Sequence, residues 1–156
     1  MKVIFLFGEI CSGKSTYDTG QQSVRVTVSN VVRKLIQSED REVLQKTAHL
    51  DRVIADELIE SIFNTYHHYE GPLDTIVIDG IRQYSILAQM EQFLAHALPT
   101  TPIEYKWLEV DAAERKRRFE ARKDPKDTLT FEEAEKRDNA LGLSELFSIL
   151  KEQNKI

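Results

Sequence analysis

A run of apolar residues, Val3-Ile4-Phe5-Leu6-Phe7, leads directly into Gly8-Glu9-Ile10-Cys11-Ser12-Gly13-Lys14-Ser15. The run is apolar at successive positions rather than alternating, so it predicts a strand buried on both faces, as in a parallel sheet. The segment after it fits the Walker A pattern G-x-x-x-x-G-K-[ST], whose required context is a preceding strand. The spacing has a physical reason. Two glycines let the backbone wrap until its N–H groups converge on a phosphate, and a following helix adds its positive N-terminus. Lys14 then reaches the β- and γ-phosphates, and the Ser15 hydroxyl ligates Mg²⁺. Gly8, Glu9, Ile10, Cys11, Ser12, Gly13, Lys14, Ser15 and Thr16 are therefore the expected contacts of a nucleoside triphosphate, with ATP and Mg²⁺ as the expected cofactors.

The rest of the chain alternates strand and helix patterns. Val24–Val28 (V-R-V-T-V) reads as a second strand, and Ser29 and Asn30 as caps of a short helix over 31–37. Asp40 caps a longer helix, or helix pair, carrying Val43, Leu44, Thr47, Leu50, Ile54, Leu58, Ile62 and Phe63 until Gly71-Pro72. Thr75–Asp79 is a third strand, a helix covers 84–97, and Ile103–Val110 is a fourth strand. A charged helix starts at Asp111 and breaks around Asp124-Pro125-Lys126-Asp127-Thr128. Thr130 then opens a capping box, and Gly142 breaks the last helical stretch. The helix after Lys14 is expected to be short, because Gly20 follows six residues later. Alternation of this kind means one α/β domain, with helices on both faces of a parallel sheet.

Composition narrows the setting. At 156 residues the chain is of single-domain size, and no apolar run reaches the roughly 18 residues of a membrane span. One cysteine excludes an internal disulfide framework, so a reducing, cytoplasmic setting is expected. A net charge of −5 gives no global attraction for nucleic acid.

Further candidates sit where a triphosphate would place its charge. Asp79 closes an apolar strand at the sheet edge where α/β ligands bind, and there it can hold Mg²⁺, accept a proton, or cap the turn at Gly80. Arg82 reaches the same crevice. In the basic run from Arg115 to Lys123, Arg118 and Arg122 share one helical face and suit neutralisation of a transferring phosphoryl group. Arg115 and Lys116 read as solvated. Glu9 puts a negative charge beside a phosphate loop, which suits a base or a hydroxyl-orienting group; Cys11 reads as a spacer.

The ordered set G-E-I-C-S-G-K-S-T, V-S-N-V-V-R-K-L-I, V-I-D-G-I-R, L-E-V-D-A-A-E-R and R-D-N-A-L-G-L-S-E-L resembles small P-loop kinases. The likeness is to dephospho-CoA-kinase-like and adenylate-kinase-like nucleotide kinases. That resemblance implies a three-layer P-loop domain over 1–156 with strand order 2-3-1-4-5; the short tail here makes the fifth strand short or absent. It implies an acceptor-binding region over about 30–70, with Asn30, Arg33 and Arg52 on the acceptor side, and a lid over about 118–137 carrying Arg118, Arg122 and Arg137. Relatives carry Asp where this chain has Asn30, which shifts the base role toward Asp79 or Glu9. The implied activity is Mg-ATP-dependent phosphoryl transfer to a nucleotide-like small molecule, catalysed through Lys14, Asp79, Arg118 and Arg122, with Arg82 as a further acceptor contact. The alternative is a hydroxyl on DNA, such as 5-hydroxymethyluracil or a 5′ end, as in phage-type kinases. Arg25, Arg33 and Lys34 would then supply charge, and Tyr17, Tyr84 and Trp107 stacking. A GTPase switch or an ATP-binding regulatory module is disfavoured, since no N-K-x-D motif is present and no D-x-x-G follows the third strand.

Overall fold

The structure is a computed structural model that describes residues 1–38, 47–122 and 128–156. Four strands, β1 (Lys2–Gly8), β2 (Ser23–Thr27), β3 (Thr75–Asp79) and β4 (Ile103–Leu108), form one parallel sheet in the order β2-β3-β1-β4. The described helices are α1 (Val28–Ser38), α2 (Thr47–His68), α3 (Tyr84–Ala97), α4 (Ala112–Arg122), α5 (Phe131–Leu141) and α6 (Leu143–Glu152). β1 is central, with Leu6 beside Asp79 on β3 and Phe5 beside Tyr105 on β4. That position explains its unbroken apolar run, because both faces of β1 are buried.

One face carries the main core. Val3, Phe5, Phe7, Val26, Ile76 and Ile78 pack against Val31 and Leu35 of α1 and Ile54, Leu58 and Ile62 of α2. Ile86, Leu87, Met90 and Leu94 of α3, with Leu146 and Leu150 of α6, complete it. Phe7 stacks on Trp107, which meets Phe147 of α6 edge-on at 4.9 Å between centroids. Each fully buried aliphatic side chain here contributes about 1.5–3 kcal/mol.

The other face differs from the sequence expectation. Its buried residues, Ile4, Leu6 and Val77, pack with Tyr17 and Leu108, and no described helix contributes to this cluster. The helix expected after Lys14 is a single 3₁₀ turn, Lys14–Thr16. Arg25 supplies the reason: its Nη1 donates to the Lys14 carbonyl at 2.6 Å and its Nη2 to the Tyr17 carbonyl at 2.8 Å. Those carbonyls are ones a continuing helix would use for its own ladder. Asp18 then accepts from the Gly20 N–H, turning the chain toward β2.

Other boundaries move for local reasons. The second strand ends at Thr27, and α1 begins at Val28, because Val28, Val31 and Leu35 form the buried stripe. Ser29 and Asn30 are thus inside the helix rather than caps. The fourth strand stops at Leu108, the last residue in register with β1, and Asp111 caps α4 by accepting from the Glu114 N–H. The Thr130–Glu133 capping box forms, and left-handed Gly142 separates α5 from α6. Asp40, Val43, Leu44 and the segment 124–127 lie outside the described residues. No described helix is long and apolar enough to cross a membrane.

Candidate active site

The loop after β1 is shaped by close approach. A Cβ on Gly8 would lie 2.3 Å from the Ser12 hydroxyl oxygen, so no side chain fits there. Gly13 (φ 94°) and Cys11 (φ 59°) take left-handed conformations; the second is uncommon for a residue with a side chain. The Lys14 ammonium donates to the carbonyls of Gly8 (2.7 Å) and Glu9 (3.1 Å), drawing it across the loop. Burial lowers the Lys14 pKa, and the charge of Asp79 opposes that shift. Thr16 turns its hydroxyl back to the Gly13 carbonyl.

Asp79 ends β3 beside this loop and is 5% exposed. Its Oδ2 lies 3.7 Å from Arg25 Nη1, and its Oδ1 is buried with no hydrogen-bond partner. Burial raises the Asp79 pKa, while the charges of Lys14, Arg25 and Arg82 hold it down. A buried carboxylate oxygen without a donor costs about 1–3 kcal/mol, so it is an unusual thing for a fold to keep.

Loop and carboxylate meet in one cavity of about 350 Å³. The loop contributes Ser12, Gly13, Lys14 and Ser15, and β2 and β3 contribute Thr27 and Asp79. Arg33, Arg82 and Arg122 bring three guanidinium groups to its wall, together with Ser29. Arg82 is aimed by a 2.8 Å ion pair with buried Asp138 of α5. Arg122 lies over the Phe119 ring at 4.8 Å. Arg118 touches the loop from outside: its Nη1 donates to the Cys11 carbonyl at 3.3 Å and its Nε to Glu114 at 3.1 Å. The Arg117 and Arg118 contacts hold the Glu114 carboxyl at about 2.

Three expected contacts stand apart from this cavity. Asn30 is exposed on α1, one residue past Ser29, and Arg137 is exposed on α5, beside Asp138. Arg52 lies with Asp56, Gln89 and His96 on the outer surface of α2 and α3. Of the residues expected to stack on a base, Tyr17 packs against Ile4 and Leu6, and Trp107 lies between Phe7 and Phe147. Arg115 overturns its reading as a solvated residue, being 3% exposed. Its signal was available, since buried Phe119 lies four residues on and shares its helical face. Lys116 is exposed and pairs with Glu132.

The donor set suits Mg²⁺ bound to phosphates. The cation prefers carboxylate and hydroxyl oxygens plus phosphate, and Asp79 with its unpartnered Oδ1 shares the cavity with Ser15. No cluster of three or more His, Cys, Asp or Glu residues able to hold a metal occurs among the described residues. A Mg²⁺ bridging phosphates needs only one or two protein ligands.

No protein-family model matches the chain, and no curated protein matches it. Solved structures do. A chain of the Pnkp1/Rnl/Hen1 RNA repair complex superposes with a TM-score of 0.57 at 20% identity, over 92% of this chain and 44% of that one. The likeness is therefore one of fold, and this chain spans less than half of its neighbour. A chain from another structure of the Pnkp1/Rnl/Hen1 complex aligns over 75% of this chain and 38% of its own at 21% identity, with a TM-score of 0.46, too low to bear on the fold.

Proposed function

We propose that the chain transfers the γ-phosphate of Mg-ATP to a hydroxyl of a nucleotide-type acceptor. The observation that carries this reading is the cavity joining Lys14 and Ser15 of the glycine loop to Asp79, whose buried Oδ1 has no hydrogen-bond partner, and to Arg33, Arg82 and Arg122. Phosphoryl transfer passes through a loose transition state, so the protein's task is positioning and charge neutralisation. Lys14 and the loop N–H groups would hold the β- and γ-phosphates. Arg122 inside the cavity, with Arg118 on the loop, would meet charge as it spreads over the γ-oxygens. Asp79 and Ser15 would hold Mg²⁺, which when bound neutralises the phosphate oxygens. Ligating the cation and accepting the acceptor's proton both need Asp79 ionised, so transfer falls as the pH drops through its raised pKa.

Arg33 and Arg82 line the cavity on the β2–β3 side and would meet the acceptor there, which supports an acceptor carrying phosphate of its own. A mononucleotide satisfies that, and so does a polynucleotide end. The fold neighbour's place in an RNA repair complex supports the polynucleotide as the second reading. One assay separates them: γ-labelled ATP offered with nucleoside monophosphates, dephospho-CoA, 5′-hydroxyl DNA or RNA, and DNA containing 5-hydroxymethyluracil. Label in a mononucleotide supports the first reading, and label in oligonucleotides alone overturns it in favour of the second. Label in none of them sinks the kinase assignment.

A further inference from the structure

Arg115 is the most enclosed cation in the described chain, and its partners come from several segments. Its Nη2 lies 3.0 Å from Glu9 Oε2 on the glycine loop and 2.8 Å from Glu135 Oε1 on α5. Its Nε donates to the Val110 carbonyl between β4 and α4 at 3.0 Å, and its guanidinium lies 5.4 Å from the Phe131 ring centroid. Only 4% of the side chain is exposed.

The consequence concerns Glu9. Its neighbours Ile10 and Cys11 line the phosphate cavity, whereas Glu9 lines a separate cavity of about 600 Å³ with Trp107, Asp111 and Phe147. The Glu9 carbonyl nevertheless accepts from Lys14, so the backbone at this position sits at the mouth of the loop. A carboxylate swung into that mouth would face a triphosphate, and the like charges would repel. Something must hold it aside. We propose that Arg115 is a positioning residue that tethers the Glu9 side chain outside the phosphate cavity, leaving the loop free to bind a polyanion. This rests on the phosphate-binding reading of Gly8 to Ser15.

The geometry explains why one guanidinium is enough. Glu9 and Glu135 share Arg115 Nη2, so the cation offsets both carboxylates while Phe131 fixes its plane. Burial raises the Glu9 pKa, and the Arg115 charge opposes that shift. Without Arg115, Glu9 and Glu135 face each other unneutralised, and Glu9 has the freer route outward.

Steady-state kinetics of Arg115→Met, and of Arg115→Met combined with Glu9→Gln, test this. The single variant is expected to raise KM for ATP about tenfold with kcat held within about threefold, and the second substitution to restore most of the loss. A KM that Glu9→Gln does not rescue, or a loss confined to kcat, overturns the tether. Should Arg115→Met fail to fold, Arg115→Lys keeps the charge without the planar fork, and its smaller rise in KM must still be rescued by Glu9→Gln. Nucleotide-free protein separates this inference from the functional reading. Carboxyl NMR should show Glu9 titrating higher in Arg115→Lys than in wild type, whether or not ATP binds. An unchanged Glu9 titration overturns the tether; wild type that binds no ATP overturns the functional reading alone.

Discussion

On one face of the sheet, Val3, Phe5, Phe7, Val26, Ile76 and Ile78 lie beneath helices α1, α2, α3 and α6; on the other, Ile4, Leu6 and Val77 are roofed by Tyr17 and Leu108. Both sets are buried, but by different means. The helical face draws its stability from many interlocked aliphatic contacts. The thin face is held by a short connection that Arg25 pins through two backbone carbonyls. The same guanidinium stands 3.7 Å from Asp79, so the contact that closes the thin face also helps hold that carboxylate's charge. The two faces can therefore be probed separately by mutation.

The largest expected effect lies at the edge of the thin face. Lys14→Ala should lower phosphoryl transfer by at least about 10³-fold while the unfolding midpoint moves little. Equal losses of activity and of folding would erase the contrast between the faces. On the helical face the pattern should invert. Leu58 is fully buried, so Leu58→Ala should cost about 2–5 kcal/mol in denaturant unfolding and leave the KM for ATP unchanged in the folded fraction.

Asp79→Asn is the sharper case, because its two effects should have opposite signs. Turnover should fall by about 10²-fold, and the acid limb of the pH–rate profile, displaced upward by burial in wild type, should disappear. Stability at neutral pH should rise. The sign follows from linkage: a carboxylate whose folded pKa is raised favours the folded state at low pH. That contribution is lost as pH rises from the ordinary value of 3.8 through the raised one. Wild-type stability should therefore decline over that window and the variant's should not. Thermal melts across the acidic range check this, and a destabilised Asp79→Asn would contradict it. The smallest effect belongs to Arg25→Met, which frees the Lys14 and Tyr17 carbonyls. It should cost about 1–2 kcal/mol and weaken ATP binding by up to tenfold. An unchanged KM would show that the thin face needs no such pin.

The sequence made the regular elements legible where pattern and environment agree. Thr75–Asp79 and the helix over 84–97 fall where the apolar run and the turn residues put them. The capping box at Thr130 and the break at Gly142 were readable because each motif is local. What escaped reading depends on partners distant in sequence. Arg25 looks like the polar position of an alternating strand, yet its role is set by two carbonyls 8 and 11 residues earlier. Arg115 disappears into a basic run, because its burial is created by Glu9, Glu135 and Phe131. Ser29 and Asn30 mislead for the opposite reason: their local capping preference yields to a buried stripe that starts one residue before them.

In the proposed function the loop and Asp79 deliver a γ-phosphate to an acceptor hydroxyl. The most direct measurement is the rate of ATP consumption by the wild-type chain with Mg²⁺, compared with and without the acceptor that takes up label. A kinase should show little turnover alone and a rise of at least about tenfold on adding that acceptor, matched mole for mole by phosphate incorporated. Hydrolysis at the same rate with and without acceptor, with all phosphate released to water, would contradict it.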